Sequence, residues 1–143
     1  MNDDSKELKG LKIMKYLHPQ KWVRPKGYSN GVTATGRTVF VSGMIGWDAN
    51  AKFVSMDFAG QARQALKNAV EVLSEAGAKP QHIVRMNWYV IDKHEYVSAY
   101  KELGEIYREI IGRHYPAMTA VQVSGLIEDA ARLEIEVTAV IPR

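Results

Sequence analysis

Residues 57–112 constrain this chain more than any other stretch, because the hydrophobic period switches there from helix to strand and back to helix. Asp57 is placed to cap a helix running to Ala76, with Ala62, Leu66, Ala69, Val70 and Leu73 on one stripe and Gly77 as its stop. Ile83 to Ile91 then reads as a strand, with Val84, Met86, Trp88 and Val90 on one face. Asp92 followed by Glu95 has the spacing of a capping box. It opens a second helix whose stripe is Tyr96, Tyr100, Leu103, Tyr107 and Ile110, ending at Gly112. Each helix has a single apolar stripe, so each covers something on one side only.

Strands flank this unit. Tyr28 to Thr35 alternates weakly, Gly36-Arg37 makes a turn, and Thr38 to Ser42 is β-branched and aromatic, which predicts a strand–turn–strand unit. Residues 43–50 form a glycine-punctuated loop before a short Phe53-Val54 strand. Two more strands are expected near Thr119–Ser124 and Arg132–Ile141. The order β-β-(β)-α-β-α-β-β makes an α+β two-layer sandwich, a mixed β-sheet with two helices on one face. The other face, expected to be rich in Val, Ile, Met and Trp, would be hidden by self-association. Residues 1–26, polar and holding Pro19 and Pro25, are read as an arm that docks through Leu11, Ile13, Met14 and Leu17, and 27–143 as a single domain.

With 143 residues the chain suits one core, and 46% hydrophobic with 24% charged residues is globular composition. The net charge is +3, but Lys and Arg form no run of five, so a nucleic-acid tract is not indicated. With no cysteine there is no disulfide, thiolate site or thiol nucleophile. His18, His82, His94 and His114 show no ligand spacing, so neither a metal nor a cofactor is expected. The acidic N-terminus lacks a secretory signal and no apolar run spans a bilayer, which predicts a cytoplasmic protein without a membrane partner.

The run Arg113-His114-Tyr115-Pro116-Ala117-Met118-Thr119-Ala120-Val121, closed by Leu133-Glu134-Ile135-Glu136-Val137, resembles the C-terminal signature of the YjgF/RidA family, also called endoribonuclease L-PSP. Gly27-Tyr28-Ser29, Val41-Ser42-Gly43, the helix segment Gln61 to Asn68 and Ala76-Gly77-Ala78 match in the same order, about four-fifths of the chain. The resemblance implies a chorismate-mutase-like fold and a homotrimer with a central barrel. It also implies a small-molecule cleft at each subunit interface, in the family's best-known case for imine or enamine deamination.

The resemblance carries over unevenly. It places Tyr28, Ser42 and Gly43 in the cleft and makes Glu134 the carboxylate that positions water. Met118 stands where the deaminases have the arginine that binds the substrate carboxylate, followed by Thr119. Ala120 replaces a small residue, often cysteine, Met44 a glutamine, and Gly104 an asparagine on the second helix. Against each role stands a plainer one. Glu134 and Glu136 alternate with Leu133, Ile135 and Val137, as on a solvated strand face. Tyr28 could be interface packing, Ser42 a shaper of its loop, Trp47 a cleft lid or simple loop packing, and Trp88 core.

Hydrolysing an imine requires water held near the carbon, a proton carrier and a grip on the substrate. Glu134 suits the first two. Methionine gives an adaptable apolar surface in place of a bidentate guanidinium fork, a loss of about 2–4 kcal/mol in a partly buried cleft. The expected function is therefore deamination-like hydrolysis of an imine or enamine metabolite, weakened or redirected by Met118. A non-catalytic binding or protein-interaction module is the alternative. Ribonuclease activity lacks a basic–aromatic stripe or a histidine pair to support it.

Overall fold

A computed structural model describes residues 14–143. Four strands make the main sheet: β3 (Arg37–Met44), β4 (Ile83–Val90), β5 (Ala117–Gln122) and β6 (Leu133–Ile141), in the order β3-β6-β4-β5. β6 runs antiparallel to both neighbours, and β4 and β5 are parallel, so the sheet is mixed. The helices α1 (Phe58–Glu75), α2 (Lys93–Ser98) and α3 (Tyr100–Ile110) lie against one side. This is the two-layer α+β arrangement that the two stripes require.

α1 begins where the side chain of Asp57 accepts the amide of Gly60 at 2.5 Å. It ends before Gly77, whose φ of +77° suits a residue without Cβ. Ala62, Leu66, Ala69 and Leu73 are sealed from solvent and pack against Met86, Leu133, Ile135 and Val137. Among these sits Gln61, equally buried. Its amide nitrogen donates to the carbonyls of Ser55 and Ala130, and its oxygen accepts from the Arg132 amide at 2.7 Å. Every polar group of the side chain is thereby satisfied, and the loops that follow β3 and precede β6 are tied to α1.

Four expectations change. The strands on either side of Gly36 form but do not pair with each other: β2 (Gly31–Ala34) pairs with β1 (Met14–Leu17), and β3 with β6. The arm thus contributes a strand, while Leu11 and Ile13 lie outside the described residues. Phe53 makes only an isolated bridge to Trp47, not a strand. The second helix breaks at Ala99 into α2 and α3. Asp92 caps α2 by accepting from the His94 amide, while Glu95 pairs with Arg132 instead of closing a capping box.

The sheet face away from the helices also differs from expectation. Alternation sends Val41, Met86, Trp88, Val90, Leu133, Ile135 and Val137 to the helix side, where they are buried. The other side carries Phe40, Ser42, Asn87, Tyr89, Thr119, Val121, Glu134, Glu136 and Thr138 by strand register. It is a mixed polar face, with Phe40 as its large exposed hydrophobe at 79% exposure. Among the described residues no helix is long and apolar enough to cross a membrane.

Candidate functional site

The sequence candidates divide between the two faces of the sheet. Tyr28 and Met118 meet on the helix side, where a cavity of about 820 Å³ opens between α2, α3 and the β4–β5 edge. Tyr28 is brought there by its neighbour: the Ser29 amide donates to the Pro116 carbonyl at 3.0 Å, and the Ser29 hydroxyl to the Tyr115 carbonyl at 2.5 Å. Those bonds dock the chain entering β2 against the start of β5. Met118 lies in parallel register with Met86 and Ala120 with Trp88, so both look toward the helices.

Aromatic rings form much of this cavity. Tyr96 is central, with ring centroids 5.7 Å from Trp88, 5.2 Å from Tyr100 and 6.2 Å from Phe58. Tyr107 stacks on Tyr115 at 5.6 Å with 12° between planes, and its hydroxyl donates to the His114 carbonyl at 2.6 Å. Burial pushes the phenols of Tyr96 and Tyr107 up, the former also by Tyr100 and the latter by Tyr115 and Tyr16, so both stay neutral at physiological pH. His114 is a strut, not a surface residue: it bonds the Ile83 carbonyl at 2.6 Å and the Tyr16 hydroxyl at 2.9 Å.

The remaining candidates lie on the opposite face. A β-bulge between Val41 and Met44 sets Ser42 and Gly43 against β6. The carboxylate of Glu134 rests on Gly43, where a Cβ would meet its Cδ and Oε1 at 2.6 Å. Any side chain at position 43 would displace that carboxylate. Glu136, in contrast, accepts from Asn87 at 3.0 Å and from the Tyr89 hydroxyl at 3.2 Å. Among the described residues the Glu134 carboxylate has no hydrogen-bond donor of its own, which leaves it available. Burial and the bond to Glu136 push the Tyr89 phenol up. Thr119 shares this face, in register with Asn87, so the structure does not bring it to the cavity that holds Met118.

One sheet therefore separates two partial sites. Gly43 and Glu134 are together, Tyr28 and Met118 are together, and within one chain the pairs cannot meet. Trp47 packs on Phe53, its loop held by Asn68 donating to the carbonyls of Ile45 and Trp47, and does not line the cavity. Trp88 is both core and cavity wall, and its indole N–H is the buried side-chain donor without a partner among the described residues. The sequence reading missed Lys26, Lys93 and Arg108, which also line the cavity. A usable signal was a stripe written in tyrosine where leucine would serve for packing alone. No group of three His, Asp or Glu able to hold a metal occurs among the described residues.

Comparison with known proteins converges on one family. The family model for endoribonuclease L-PSP matches residues 22–141. The human 2-iminobutanoate/2-iminopropanoate deaminase is 34% identical, the match covering 79% of each chain. A RutC family protein from Pyrococcus abyssi is 30% identical over 86% of this chain and 94% of its own. Among solved structures, a protein of unknown function of the conserved Rid family from Yersinia pestis superimposes with a TM-score of 0.78 at 29% identity, covering 91% of this chain and all of that one. With the mixed sheet, the paired helices and the signature strands already in place, the chain belongs to the YjgF/RidA, or endoribonuclease L-PSP, family.

Proposed function

We propose that this protein hydrolyses an imine or enamine metabolite in clefts shared between subunits of a homotrimer. The carrying observation is the division of the site: Glu134 on Gly43 occupies one sheet face, and Tyr28 with Met118 the other. A second copy that lays its open face beside the cavity of the first would complete the site. The similarity to 2-iminobutanoate/2-iminopropanoate deaminases supplies the reaction class.

In this reading the unpartnered Glu134 carboxylate accepts a proton from water as the oxygen attacks the imine carbon. Glu134 returns that proton to the imine nitrogen, and the resulting carbinolamine passes its hydroxyl proton by way of Glu134 to the amine as it collapses to a carbonyl and releases ammonia, leaving the carboxylate as it began. Gly43 seats Glu134, with Ser42 and Thr119 on the same face, while Tyr28 and Met118 in the cavity of the other copy line the substrate side of the shared cleft. A small imino acid gains no guanidinium clamp from Met118, so turnover of 2-iminopropanoate should be slow.

The test generates imino acids in place with an amino-acid oxidase and follows their disappearance by semicarbazide trapping. Glu134→Gln should lower turnover at least tenfold, the lower end for one general base being about 100-fold. Equal rates for Glu134→Gln and wild type would remove Glu134 from the chemistry, and a wild-type rate no faster than uncatalysed hydrolysis would leave a binding module that uses the same cavity.

A further inference from the structure

Two small residues and one displaced charge give the cavity its character. Gly104 sits inside α3, where glycine weakens a helix and is retained for room or contact. One turn on, Arg108 shares its face, and long helical side chains lean back toward the N-terminus. Its Nη1 lies 3.3 Å from where a Cβ at position 104 would be, so a methyl there would shift the guanidinium by a few tenths of an ångström and a larger side chain would crowd it further. Across the cavity, Met118 and Ala120 leave β5 without charge or bulk. The guanidinium that borders this space therefore comes from the helix, and the strand opposite leaves it open.

The walls say what fills that space. The volume of about 820 Å³ falls in the upper part of the range for small-molecule pockets, and a pyruvate-sized imine would leave most of it to water. Trp88, Tyr96, Tyr100 and Tyr115 present rings that suit offset or edge-on contact with another ring. The charged lining residues are Lys26, Lys93 and Arg108, with no Asp or Glu, and among the described residues no carboxylate pairs with any of them. Neutral rings with unpaired cations at the rim suit a ligand that is flat and apolar at one end and anionic at the other.

We infer that this cavity takes a carboxylate bearing an aromatic ring, with Arg108 as its anion anchor and Gly104 as the gap that lets Arg108 reach it. The inference rests on the cleft reading above and names the ligand class of that cleft. An arylated imino acid would then meet Glu134 of the neighbouring copy.

Calorimetric titration of the intact protein with four probes tests it: indole-3-acetate, its neutral amide, tryptamine and pyruvate. Indole-3-acetate should bind about tenfold or more tighter than each of the others, as a charge-assisted bond to one end and ring burial at the other require. Arg108→Gln should abolish the preference for acid over amide while the amide keeps its affinity. Gly104→Asn should do the same by crowding the guanidinium, with circular dichroism melting to confirm folded variants. Equal binding of acid and amide, pyruvate matching indole-3-acetate, or a preference that survives Arg108→Gln would each overturn the inference. Its failure is separable from that of the deaminase reading. If indole-3-acetate does not bind but 2-iminopropanoate is hydrolysed with dependence on Glu134, only the aromatic acid falls. If indole-3-acetate binds as described and the wild-type protein does not speed imine hydrolysis, only the deaminase falls.

Discussion

At the scale of single residues, Gly43 and Met118 carry the sharpest tests. A methyl group at position 43 collides with the far end of a flexible side chain, which moves easily, so the fold should tolerate Gly43→Ala at a cost under about 1 kcal/mol. The same movement takes the carboxylate off its seat on Gly43. Imine turnover should therefore fall about tenfold or more while the melting temperature shifts by a few degrees at most, and unchanged turnover would detach Glu134 from the chemistry. Met118→Arg restores the fork to a cavity that already has room for it. The KM for 2-iminopropanoate should drop about tenfold or more, as expected for a regained ion pair. Alternation alone made Glu134 and Glu136 equivalent; the resemblance favoured Glu134, and the structure gives the physical difference, with Glu136 held by Asn87 and Tyr89. That distinction depends on cross-strand neighbours, which no local pattern in β6 encodes.

At the scale of elements, the strong periodic segments were legible and the short or paired ones were not. The α1 stripe and the Asp57 cap could be read because helix period and capping are local. Which strand pairs with which is not local, so the turn at Gly36-Arg37 suggested a hairpin where β2 instead joins β1. Glu95 had capping-box spacing, yet an arginine from the start of β6 outcompetes the helix end for it. Gln61 illustrates the same limit, since its position on a helix says nothing of the Arg132 amide or the Ser55 and Ala130 carbonyls it satisfies. Gln61→Leu keeps the volume but strands three part-buried backbone groups. Urea unfolding should show a loss of about 2–4 kcal/mol, the range for unpaired buried polar groups; a neutral effect would mean that water replaces the amide.

At the scale of the whole molecule, the open sheet face decides whether the two half-sites ever meet. Its polar mixture was hidden in the sequence, because assigning the Val, Ile, Met and Trp residues to a face requires knowing which side the helices occupy. Tyr89, Asn87 and Glu136 form a satisfied polar network there, a surface that water or a matching subunit can wet equally well. Phe40 is different: it projects from β3 with 79% of its surface exposed, in register with Thr138. A ring so placed gains about 1.5–3 kcal/mol when fully covered, and in the proposed trimer threefold symmetry would repeat that gain at each interface. Light scattering of the wild-type protein should give about three times the 16.1 kDa chain mass. Phe40→Glu sets a charge where the ring was to be buried, and should return a folded monomer because the helix-side core is untouched. Imine turnover should vanish with the trimer, since Glu134 would lose the cavity supplied by its neighbour. A Phe40→Glu monomer that still hydrolyses imines at the wild-type rate would show that one chain suffices, and the shared cleft would have to be abandoned.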